Sequence, residues 1–265
     1  MNSASREKKQ IFYARTYKHT KIYPGRAALY LLIVVLPAFL VLVHFLPGIT
    51  DFITQLGLKI IGETMPELSA TAGETAFSVF FNLSYIELPT VLPSFGFSLG
   101  NLIAVAAIFV FFLILLKANH PTFIFLLEGI IVHTISSLYF MFAAESFPYT
   151  ASEFSAMYMK QQVSIWILFL IMSGLITGFL GNRGYPAKVL CFLGIMGYSL
   201  VYGCARYMLF MWIISRASII YIPLMFFVFG PLMDFVYFVT IYSIYSYRLG
   251  KVYDTNEGRG DWEWM

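Results

Sequence analysis

Four ionisable side chains stand well within long apolar runs of this chain: Glu128, His133, Arg206 and Asp234. A charge near the middle of a bilayer costs roughly 2.5 to 3.5 kcal/mol on insertion scales, so each of these residues should face protein or water and have a partner. Two chemistries suit the set. An arginine and a carboxylate neutralise each other and fix helix register, whereas a histidine among acids can relay protons. The stretch Gly203-Cys204-Ala205-Arg206 adds a thiol two positions from the guanidinium, the residue types of an intramembrane thiol enzyme. A cysteine nucleophile also needs a base within hydrogen-bonding reach. Spacing fixes none here, since the last histidine, His133, precedes Cys204 by 71 positions and sits in a different run. Cys204 therefore reads as a small buried apolar side chain, and no catalytic residue is assigned.

Depth selects the partners. At about 1.5 Å per helical residue, His133 and Arg206 fall near mid-membrane and Asp234 lies about 10 Å further along the normal. Side chains lean toward the N-terminus of their own helix, which tilts Arg206 and Asp234 toward one another and Glu128 away. An Arg206–Asp234 link is expected ahead of an Arg206–Glu128 link, with Glu128 turned to cytoplasmic water or to Lys117 and His120. If the link is structural, exchanging the two charges should restore folded protein. Ser199 and Gly203 share the face of Arg206 at small-xxx-small spacing, and Gly174 and Gly178 present a matching close-contact face on another run. Pro223 and Pro231 interrupt the last run, and Gly230-Pro231 just before Asp234 should free backbone carbonyls beside the acid.

These residues must be held by membrane helices. Of the 265 residues 59% are hydrophobic and 12% charged, and the mean hydropathy is +0.77. Apolar runs of about twenty residues are long enough to cross a bilayer as helix. The expected class is an all-α polytopic integral membrane protein with spans at 27–46, 99–116, 122–144, 163–180, 189–214 and 219–245. Residues 1–26 form a basic cytoplasmic segment carrying Arg6, Lys8, Lys9, Arg15, Lys18, Lys21 and Arg26, and the apolar span after them reads as an uncleaved signal anchor. Residues 248–265 form a cytoplasmic tail whose Trp262 and Trp264 are expected to fold back onto the interface or to act as a docking peptide. With both termini inside, every Lys and Arg except Lys59, Lys160, Arg216 and the intramembrane Arg206 is cytoplasmic or at the inner boundary, which is the positive-inside pattern.

The external loop 47–98 follows a helix expected to end at Pro47-Gly48. Its length calls for structure of its own. Ile49, Phe52, Ile53, Leu56 and Ile60 recur at helical spacing opposite Asp51, Gln55 and Lys59, so an amphipathic helix lying on the outer leaflet is expected. Cys191 and Cys204 lie on different faces of one helix and cannot pair, and no Cys/His spacing suggests a metal. No cofactor motif, nucleic-acid patch or internal repeat is present, and the missing repeat weighs against a secondary transporter.

The functional expectations follow in order. First is a non-enzymatic multi-pass subunit of a plasma-membrane assembly in the export or building of envelope material, in a bacterial inner membrane, with lipid and other membrane-protein subunits as partners. The alternative is an ion- or proton-coupled transporter using Glu128, His133, Arg206 and Asp234, and the third is a thiol enzyme built on Cys204.

Overall fold

The computed structural model describes residues 18–20, 23–79, 81–115, 121–179, 185–253 and 262–264. It contains six helices long and apolar enough to cross a membrane. The chain is mostly helical, but not wholly so, because two short antiparallel ladders stand beside the helices.

The first span is longer than its hydropathy suggests. Helix α1 (Pro24–Tyr30) passes through a π-helical turn (Leu31–Val35) into α2 (Leu36–Thr64), giving a run of 41 residues, Pro24–Thr64. The expected stop at Pro47-Gly48 does not occur. Pro47 sits inside α2, and the Thr50 hydroxyl donates to its carbonyl at 3.0 Å. Nor does the following segment lie on a leaflet. Leu46, Thr50, Ile53, Gly57 and Ile61 form a buried stripe at spacings of three and four, while Phe52 is left 67% exposed. That stripe covers a β-hairpin, and burial against protein outweighs the pull of lipid on the amphipathic face.

The hairpin joins β2 (Thr71–Ala76) to β3 (Asn82–Glu87), with Thr71 opposite Glu87 and Ala76 opposite Asn82. Leu83 and Ile86 of β3 are wholly buried. Gly57 makes room for this contact, since a Cβ there would stand 2.6 Å from Ile86 Cδ1. The hairpin is also pinned through its backbone. Ile86 N–H donates to Tyr207 Oη at 2.9 Å, Ser84 N–H to Thr50 Oγ1 at 3.3 Å, and Leu88 N–H to Ser152 Oγ at 2.9 Å.

Helices α3 (Phe95–Leu115) and α4 (Pro121–Ala143) form an antiparallel pair. Helix α5 (Ala151–Phe179) starts well before the expected Val163. Thr150 and Glu153 form a capping box that starts it: Thr150 N–H and Oγ1 donate to Glu153 Oε2 at 2.8 and 2.9 Å, and Glu153 N–H donates to Thr150 Oγ1 at 3.1 Å. Helix α6 (Tyr185–Arg216) packs along α5. The last crossing is broken, as its prolines imply, into a turn (Ile219–Tyr221), a six-residue helix α7 (Ile222–Phe227) and α8 (Pro231–Tyr253).

Two bodies result. The first helical run, α5, α6, α8 and the hairpin form the core, and α3–α4 lean on it mainly through α7 and the turn before it. Strand β1 (Lys18–Thr20) pairs with β4 (Trp262–Trp264), so the two terminal segments meet. That pairing fits an even number of crossings. The rest of the basic N-terminal segment up to Lys21 and most of the C-terminal tail lie outside the described residues, as do Lys117 and His120.

Candidate functional site: a buried arginine and a second polar cluster

Arg206 lies on α6 at the level of the break in the last crossing, 4% exposed, and Asp234 on the first turn of α8 is 1% exposed. The guanidinium has five N–H donors. Nη2 donates to Asp234 Oδ2 at 2.7 Å and to Gln162 Oε1 of α5 at 2.6 Å. Nη1 donates to the carbonyls of Phe229 and Gly230 at 3.1 and 2.9 Å. Those two carbonyls precede Pro231, which has no N–H, and they sit where the helix is interrupted. A Cβ at Gly230 would run into the Phe226 carbonyl, so the break is shaped for glycine.

The aromatic wall completes the arginine's surroundings. Tyr202 and Tyr158 hold their rings 5.2 and 5.7 Å from the guanidinium carbon, a cation–π arrangement. Tyr237 donates to Ser199 Oγ at 2.7 Å, and Trp166 Nε1 donates to the Ser199 carbonyl at 3.1 Å. Gly203 lets α5 come close: a Cβ there would lie 2.7 Å from Gln162 Cδ and 3.1 Å from Trp166 Nε1. The charge is thus bound by three helices and neutralised within the protein, the condition under which a buried ion pair is tolerated. Gln162 is the partner that sequence reasoning missed. It lies immediately before the hydropathy boundary at Val163, and only the capping box at Thr150 signals that the helix already includes it.

The four candidate ionisable residues do not converge. His133 on α4 joins a separate cluster: its Nε2 lies 3.3 Å from Asn101 Oδ1 of α3, Tyr221 Oη donates to the same oxygen at 2.7 Å, and the Tyr221 ring stacks on the imidazole. Glu128 is exposed on α4 and makes no hydrogen bond or ion pair among the described residues. Gly174 and Gly178 do not face α6. They receive the first helical run, with Val35 carbons 2.7 Å from a Cβ placed on Gly174 and Tyr30 Cδ1 3.3 Å from one on Gly178. Tyr30 Oη and Thr177 Oγ1 share a hydrogen bond of 3.1 Å at this contact. The small residues of α5 and of α6 therefore serve two interfaces instead of one. Cys204 is a half-buried free thiol packed on the apolar core. No group of three His, Cys, Asp or Glu gathers among the described residues.

The fold and this site define a helical multi-pass membrane protein whose core holds an internally neutralised arginine. Comparison of the chain with protein-family models, with characterised proteins and with solved structures returns no match.

Proposed function

We propose that the protein is a non-enzymatic multi-pass subunit of a plasma-membrane assembly, and that the α3–α4 pair is the arm that meets a neighbouring subunit. The observation behind this reading is the uncovered side of α3. Of its 21 residues only Ser98 and Val105 are buried, while Ile103, Ala107, Val110, Phe111 and Ile114 form an exposed stripe, Ile114 to 79%. A crossing helix that packs on its neighbour along one side and leaves the other uncovered offers that surface to lipid or to another protein helix. The bound state of Arg206 supports the same reading, because a guanidinium spending four donors on internal acceptors serves helix register better than a moving ion. A relay through Glu128, His133, Arg206 and Asp234 lacks a contiguous hydrogen-bonded path among the described residues. The positive-inside pattern supports cytoplasmic termini, and we assign the plasma membrane of a bacterium as the setting, with export or assembly of envelope material as the task.

The test is site-specific photo-crosslinking from α3 in native membranes. Residues at Ile103 and Ile114 should yield one discrete adduct with a second membrane protein. A control at Leu190, exposed on α6, should yield none, and Ile114→Trp should weaken co-purification. A protein that gives no position-dependent adduct, purifies alone in mild detergent and moves solute in liposomes would overturn the proposal.

A further inference from the structure

The β2–β3 hairpin closes on an apolar turn, Phe77-Ser78-Val79-Phe80-Phe81. Its strands expose Thr71, Glu74 and Asn82 instead. Val79 is 98% exposed, the most open large apolar side chain among the described residues. Phe77 and Phe81 are half-buried, rest on the core and stack with ring centroids 5.6 Å apart. Phe80 lies outside the described residues. The turn is closed through its own backbone, since Phe77 N–H and Ser78 N–H both donate to the Phe81 carbonyl, at 3.3 and 3.4 Å. Main-chain groups paired in this way cost less to bring into lipid.

Contacts between β3 and the helices fix the height of that turn. β3 runs in the same direction as α2, since Ser84 N–H meets Thr50 Oγ1 and Ile86 packs on Gly57 further along the helix. At about 3.3 Å per strand residue and 1.5 Å per helical residue, Asn82 falls about 7 Å short of Thr50, near Leu46. Helix α5 runs the other way and agrees. Leu88 N–H meets Ser152 Oγ, and Asn82 lies about 20 Å back along the strand, within a turn of Val163. Leu46 and Val163 are the hydropathy limits of their spans, and no Asp, Glu, Lys or Arg occurs at 27–50 or at 161–182. Asp51 follows Thr50, Glu74 stands opposite Ser84, and Lys160 falls at the same height. The turn therefore points back past a collar of charge, toward the apolar part of the spans.

We infer that the turn 77–81 dips into the leaflet on the hairpin's side of the bilayer and anchors the hairpin to lipid. The occupant follows from the height. An apolar side chain fully open at the level where the flanking helices become apolar meets the boundary between headgroups and acyl chains, about 5–10 Å deep. Phe45 on α2, at the same height, is likewise exposed. The charged collar, with Asn82 Nδ2 donating to Glu74 Oε2 at 3.3 Å, then lies among the headgroups and limits how far the turn can sink. Lipid contact also removes Val79 from water, which an aqueous hairpin would not. The inference does not rest on the proposed subunit role, which concerns α3–α4.

Spin labels on the full chain in phosphatidylcholine nanodiscs test this, in a Cys191→Ala, Cys204→Ala background. A nitroxide at Val79→Cys should collide with dissolved oxygen as readily as one at Leu36→Cys, exposed on the apolar part of the first run. It should meet an aqueous nickel chelate about a tenth as often as a label at the exposed Glu63→Cys, because a Val-sized apolar group prefers lipid to water by about tenfold or more. Unlabelled protein gives an independent reading should the cysteine-free background not fold. Chymotrypsin should leave the turn 77–81 uncut in nanodiscs and cut it in Val79→Asp, whose charge lifts the turn from lipid. A Val79 label as open to the chelate as the Glu63 label places the turn in water and overturns the inference. A label shielded from both oxygen and chelate overturns it as well, showing a second copy or another protein seated on the turn. Cleavage that is the same with and without Val79→Asp would also count against it.

Discussion

At the scale of single residues, the arginine is better described as a junction than as half of a pair. Removing its carboxylate in Asp234→Ala leaves a guanidinium buried with three neutral acceptors, and breaking a buried pair in this way costs about 3–5 kcal/mol. The expected result is a large loss of monodisperse protein in detergent and a lower thermal midpoint, whereas Arg206→Met combined with Asp234→Leu should recover most of both. The exchange Arg206→Asp with Asp234→Arg should not restore the protein, contrary to what the simple pair implies, because it sets a carboxylate against the carbonyls of Phe229 and Gly230 and the amide oxygen of Gln162. Fluorescence-detected size exclusion of the three variants distinguishes these outcomes. Depth and side-chain direction make Arg206 and Asp234 legible as neighbours from the sequence, and Gly230-Pro231 announces the break whose carbonyls Arg206 meets. Gln162 and the Asn101–His133–Tyr221 cluster were not legible, since each depends on where two distant helices are placed sideways, which no periodicity encodes.

At the scale of elements, the β-hairpin depends on helix side chains as much as on its own ladder. Tyr207 Oη accepts from Ile86 N–H and shares a hydrogen bond of 2.7 Å with Ser155 Oγ. Tyr207→Phe strands a buried amide, a loss of about 1–3 kcal/mol, and should leave the helices in place while the hairpin becomes cleavable by protease under native conditions. Unchanged resistance to cleavage would show that α2 and the Ser152 contact suffice. Close-packing glycines give a second element-scale expectation. Gly203→Leu should separate α5 from α6 and disturb Arg206 with it, while Gly194→Leu on the same helix, where a Cβ meets nothing within 4 Å, should be tolerated; relative thermal midpoints measure the difference. Hydropathy located the crossings and misplaced their ends. Pro47-Gly48 reads as a terminator, yet a proline in a helix is tolerated when packing holds both halves, here through the stripe against β3. The strands themselves carry only a weak alternating pattern, because β3 is covered by two helices and not laid on a single core face.

At the scale of the whole molecule, composition alone predicts a six-helix membrane protein, and the number of crossing helices agrees. What the linear order conceals is that the last three crossings share the core with the first, while the second and third form an arm on α7. That short helix borders both bodies. It lies between a cleft of about 380 Å³ lined by His133 and another, of about 430 Å³, beside Arg206, and Leu224 and Phe229 line both. Filling the His133 cleft with Ala104→Phe should therefore leave the core's stability unchanged, as judged by the protection of Tyr207 and Trp166 amides from hydrogen exchange, while altering exchange in α7. Equal changes in core and arm would show the two bodies to be one. The first helical run extends this division of labour. At about 1.5 Å per residue its 41 residues measure about 60 Å, twice the hydrocarbon thickness of about 30 Å. Set upright in a bilayer, a run of that length leaves the end that bears the hairpin outside the hydrocarbon.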